Sequence, residues 1–112
     1  MRLKIVQVGE PVLRTHSQEL SKDQILSPAI QNLIEYMRET VRDAPGVGLA
    51  APQVGESLQL AVIEDKTDYQ KSLTVDELRE REKREVPFQV IVNPVIELPT
   101  DPTETFFEGC LS

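Results

Sequence analysis

Residues 46–55 read GVGLAAPQVG, and what this run of small residues does decides how the rest of the chain is organised. Gly46 and Gly48 permit backbone conformations closed to other residues and let another group come close to the main chain. Ala50 and Ala51 keep the surroundings shallow. Gln53 then supplies the one side chain in the run with amide donors and an acceptor together. Such a stretch can aim a backbone N–H and a carboxamide at a single substrate oxygen. From chemistry alone it better suits a tight helix-to-strand connection with the alanines packed beneath it. A phosphate loop fits poorly, because there is no Gly-Lys-Ser/Thr sequence and no strand directly before the glycines.

Upstream, Ser27-Pro28 reads as an N-cap followed by proline in the first helical position. Ile30, Leu33, Ile34, Met37 and Val41 recur at the spacing of one helical face, while Glu35, Arg38, Glu39 and Arg42 take the other. Ala44-Pro45-Gly46 ends this helix, since proline cannot continue it and glycine readily leaves it. Earlier still, LKIVQV (3–8) predicts a short strand or extended arm, punctuated by GEPVLR (9–14).

Downstream, LQLAVIE (58–64) predicts a strand. Residues from about 65 to 87 are densely charged and read as a solvated insertion, with a possible helix start at Thr74-Val75-Asp76-Glu77. FQVIVNPVIEL (88–98) predicts a strand pair or a bent strand broken at Asn93-Pro94. PTDPTE (99–104) reads as a turn and TFFEGCLS (105–112) as a further strand. This order predicts an α+β domain with an N-terminal helix packed on antiparallel strands.

At 112 residues the chain holds one domain at most. Aromatic residues make up only 4%, so the core must rest on Ile, Leu and Val. A net charge of −7 disfavours generic binding to nucleic-acid phosphates, which needs clustered positive charge. The single cysteine excludes an internal disulfide framework and suits a reducing compartment. The N-terminus reads as no signal peptide, and no apolar run reaches the roughly 18 residues of a membrane span.

That cysteine is Cys110, in FFEGCLS (106–112). Read alone it suits a small buried hydrophobe, although Glu108 and Gly109 argue against deep burial. A metal site needs about three protein ligands. The other candidates are His16, which reads as a surface histidine in the polar stretch RTHSQE, and scattered carboxylates. A thiol nucleophile is the weakest reading, with no neighbouring cation or resolving cysteine to lower the thiol pKa.

Together, GVGLAAPQ (46–53) and EGCLS (108–112) resemble the first and second motifs of the peptide deformylases, and GEPVLR with the helix that follows resembles that family's N-terminal region. The resemblance implies metal-dependent hydrolytic removal of the formyl group from the N-terminal formyl-methionine of nascent polypeptides. It implies Fe(II) as the cofactor, with Ni, Co or Zn as substitutes, and a ribosome-associated setting in a bacterial cytoplasm, or alternatively an organelle. No membrane or direct nucleic-acid partner is implied.

Carried over residue by residue, Cys110 matches the metal-ligand cysteine and Gln53 the side chain that donates to the formyl oxygen. Leu111 matches the residue whose backbone N–H donates to that same oxygen. Gly48 matches the glycine that meets the substrate backbone, and Val47 a residue lining the methionine pocket. The family's third motif, H-E-x-x-H, which brings two further ligands and the general base, does not occur in these 112 residues. The sequence therefore reads as a single, incomplete deformylase-like domain (1–112) that ends before the catalytic helix and is inactive alone. On this reading much of the apolar face of the 28–43 helix stays exposed. The alternative is a short, inactive relative that binds peptide N-termini or a partner chain.

Overall fold

Ser27 starts the longest element among the described residues. The computed structural model describes residues 2–44, 46–65, 86–97 and 109–112. In it Ser27 Oγ accepts the Ile30 N–H, and helix α2 runs from Pro28 to Asp43 with proline in its first turn. A five-residue helix, α1 (Lys22–Leu26), precedes it and was not visible in the apolar spacing. Its signal is chemical: Ser21 Oγ accepts from Gln24 N–H while Gln24 Oε1 accepts from Ser21 N–H, a reciprocal capping box.

Among the described residues three strands follow, β1 (Gly48–Ala50), β2 (Leu60–Asp65) and β3 (Val86–Val92), forming one antiparallel sheet in the order β1-β2-β3. The register places Leu49 opposite Val62, and Val62 opposite Val90. The small-residue run is thus not wholly a loop: it contains β1, and a 3-10 turn at Ala51–Val54. β3 starts at Val86, inside the span read as insertion, and ends before Asn93-Pro94; residues 94–97 form no strand. The expected helix start at Thr74 and turn at 99–104 lie outside the described residues. So do residues 105–108 of the expected last strand, and 109–112 are not a strand.

Alternation along β2 buries Leu60 and Val62 against α2. There they meet Ile34, Met37 and Val41, with Leu20, Leu49 and Ala51 completing the core. Ile30 and Leu33 are partly buried against the same cluster. The apolar face of α2 is therefore covered, contrary to the expectation that much of it stays exposed. The arm and the sheet fill that role.

The same alternation carries Glu64 to the buried side, where it is 5% exposed. A carboxylate can be buried there because the last turn of α2 delivers Arg42, which the periodicity had assigned to solvent. Arg38 also turns inward, its guanidinium 4.7 Å from the centre of the Phe88 ring.

The arm at 2–8 is extended and pairs with none of the described strands. Leu3 N–H donates to Thr40 Oγ1 at 2.8 Å, and Val6 N–H to the Gln53 carbonyl at 2.7 Å. Asn93 turns the chain out of β3 at φ 49°, a conformation asparagine tolerates better than most residues. Its carboxamide accepts from Leu20 N–H at 2.9 Å and donates to the Leu20 carbonyl at 2.8 Å.

Candidate functional site

Gln53 projects from the 3-10 turn that directly follows β1. The turn closes at Gly55, whose φ of 88° is strained for any residue with a Cβ. Gly55 and Gly9 hold the positive φ values among the described glycines; Gly46 and Gly48 do not. The left-handed freedom expected of Gly46 and Gly48 is therefore unused.

Gly46 matters for space instead. A Cβ there would lie 2.8 Å from Leu111 Cδ1 and 3.4 Å from Val41 Cγ2. Gly48 is looser: its Cβ would meet Ile63 Cγ2 at 3.5 Å, an ordinary contact. Nothing in the described fold requires glycine at 48.

The segment 109–112 comes back over this turn. Val8 N–H donates to the Ser112 carbonyl at 3.2 Å, and Gln7 Nε2 to the Leu111 carbonyl at 3.4 Å. The Leu111 side chain is partly buried against the core. These anchors bring Cys110 beside Gln53, with Nε2 to Sγ at 3.6 Å across 57 residues of sequence. The same Nε2 lies 3.1 Å from Ser112 Oγ. The Gln53 oxygen is used on its other side, accepting the Ala50 N–H at 3.0 Å.

Cys110 is exposed, not the buried thiol its solitary occurrence suggested. Val47 is 47% exposed, and its carbonyl accepts from Glu64 N–H at 2.9 Å. Three of the five candidates, Gln53, Cys110 and Leu111, are therefore brought together, while Gly48 opens the strand that leads into the turn. Val47 sits just before that strand. His16 is exposed on the segment leading to α1. A cavity of about 420 Å³, lined by Arg2, Leu3, Lys4, Ile5, Thr40 and Ala44, takes in none of the five.

An exposed thiol suits one position of a borderline-soft divalent ion such as iron, nickel, cobalt or zinc. Among the described residues no group of three or more His, Cys, Asp or Glu side chains could hold a metal ion. The described residues therefore do not make a three-ligand metal centre by themselves.

The sequence reading missed Ser112, the Ala50 N–H and Gln7. Ser112 stands within EGCLS and could have been noticed as a hydroxyl two residues from the thiol. The other two depend on chain crossings that no local pattern announces.

Comparison with known proteins identifies the family. The family model described as polypeptide deformylase matches residues 2–112. The chain belongs to the polypeptide deformylase family. It is 44% identical over 108 residues to peptide deformylase 1A, chloroplastic, of Solanum lycopersicum, covering 96% of this chain and 39% of that protein. It is 46% identical over 110 residues to peptide deformylase 1 of Bifidobacterium longum, covering 98% of this chain and 48% of the relative. A crystal structure of a peptide deformylase from Legionella pneumophila superposes with a TM-score of 0.72 at 34% identity, over 99% of this chain and 54% of that one. The chain thus spans about half the length, or less, of these relatives. The α+β fold expected from the sequence is the fold of this family. No helix among the described residues is long and apolar enough to cross a membrane.

Proposed function

We propose that the protein carrying this sequence is a metal-dependent peptide deformylase, hydrolysing the formyl group from the N-terminal formyl-methionine of nascent polypeptides. The observation that carries this reading is the meeting of Gln53 and Cys110, 3.6 Å apart across 57 residues of sequence. A hydrogen-bond donor fixed beside a metal-ligating thiol is what a carbonyl hydrolase needs where negative charge develops.

In this reading Cys110 is one ligand of Fe(II), or of Ni, Co or Zn in its place. A metal held there would supply an activated water and polarise the formyl carbonyl. Gln53 Nε2 and the Leu111 backbone N–H donate to the carbonyl oxygen as it becomes an oxyanion. The Gly48 main chain lies along the substrate backbone, and Val47 contributes apolar surface to the methionine pocket. No further ligand or general base is assigned among these 112 residues, and the relatives run to about twice this length. The setting is a ribosome-associated one, in a bacterial cytoplasm or an organelle, as the bacterial and chloroplastic names of the relatives suggest.

The test is release of formate from a formyl-Met peptide by the full natural protein, assayed with each metal and with metal quantified. Turnover that requires metal and disappears in Cys110→Ala is the expected result. Stoichiometric metal without any formate release would overturn the reading.

A further inference from the structure

The orientation of the Gln53 carboxamide is set before substrate arrives. Its oxygen faces the Ala50 N–H at 3.0 Å, and a main-chain N–H can only donate, so the amide nitrogen must face the other way. On that side stand Ser112 Oγ at 3.1 Å and Cys110 Sγ at 3.6 Å. The amide nitrogen has two hydrogens, and Ser112 Oγ takes one of them. Ser112 is itself anchored, its carbonyl accepting from Val8 N–H at 3.2 Å and the residue half-buried.

We propose that Ser112 is a positioning residue: its hydroxyl takes one hydrogen of the Gln53 amide and thereby aims the other at a substrate oxygen beside Cys110. The proposal rests on the deformylase reading and adds a residue to it. Without Oγ, the amide nitrogen keeps only the weaker sulfur acceptor of Cys110 on that side. The last torsion of glutamine is broad, so the donor swings, and a donor that is not fixed in advance stabilises developing charge less.

The experiment uses the full natural protein with Ni²⁺ and a formyl-Met peptide, comparing wild type, Ser112→Ala, Ser112→Thr, Gln53→Ala and the Ser112→Ala/Gln53→Ala double variant. Ser112→Ala should lower kcat about tenfold while KM stays within about twofold, and Ser112→Thr should recover to within about threefold of wild type. Gln53→Ala should lose roughly a hundredfold, and adding Ser112→Ala to it should change nothing more. Bound metal should be the same throughout.

In the metal-free protein, the NMR order parameter of the Gln53 side-chain amide should be high in wild type and Ser112→Thr and clearly lower in Ser112→Ala. Should Ser112→Ala not fold, Ser112→Cys, with its weaker acceptor, replaces it. Additive losses in the double variant, an unchanged kcat, or metal lost from Ser112→Ala would each overturn the proposal. A wild-type protein without deformylase activity defeats the functional reading instead. The NMR comparison then still decides whether Ser112 fixes the carboxamide.

Discussion

The Arg42 guanidinium meets the buried Glu64 carboxylate side-on, Nε to Oε1 at 2.7 Å and Nη2 to Oε2 at 3.0 Å. Two parallel, charge-assisted hydrogen bonds tie the end of α2 to β2. The Glu64 N–H holds the Val47 carbonyl, so the same residue anchors the entry to the candidate site.

Arg42→Ala should destabilise the fold by roughly 3 kcal/mol, because it strips the buried carboxylate of this contact. Glu64→Ala should be milder, since Arg42 is 35% exposed at its side chain and water can reach it. Urea unfolding of the two variants checks the order, and equal losses would contradict it. Arg42→Lys should restore only part of the loss, because an ammonium cannot reproduce the planar pair of bonds.

Gly46→Ala should push its new methyl into Leu111, which would stand 2.8 Å away, and destabilise by about 1–3 kcal/mol. Leu111→Ala makes room for that methyl. The two changes should therefore cost less together than the sum of their separate effects, a coupling that four thermal unfolding curves measure.

Gly48→Ala separates folding from function. The added Cβ meets Ile63 Cγ2 at 3.5 Å, so stability should change by less than about 1 kcal/mol. If a substrate backbone lies against residue 48, KM for a formyl-Met peptide should rise about tenfold or more in the full protein. An unchanged KM would remove Gly48 from the substrate contacts.

Asn93→Ala should lose both hydrogen bonds to Leu20 and strain the backbone at φ 49°, together about 2–3 kcal/mol. Asn93→Gly accepts the backbone and loses the bonds alone, so it should fall between wild type and Asn93→Ala in denaturant stability.

The long helix and the second strand were legible because their signals are local. The Ser27 cap, Pro28 and the spacing from Ile30 to Val41 specify α2 wherever it packs. The alternation of Leu60 and Val62 likewise specifies a buried face of β2. Less legible were β1, whose three residues form a strand only because β2 pairs with them, and α1, whose cap lacks an apolar stripe.

The candidate site divides in the same way. The two motifs marked Gln53 and Cys110 as residues of interest, since the chemistry of a carboxamide and a thiol belongs to the side chains themselves. Sequence by itself determined those functional groups, the helix and the β2 pattern. Tertiary structure alone decided that Cys110 is exposed, that Arg42 turns inward to a carboxylate, and that Gln53 stands between Ala50 N–H and Ser112 Oγ. The physical reason is range. Caps and periodicity act within one or two turns of chain, whereas these contacts join residues from 22 to 59 positions apart, apart from the Ala50 bond that sets the carboxamide's direction.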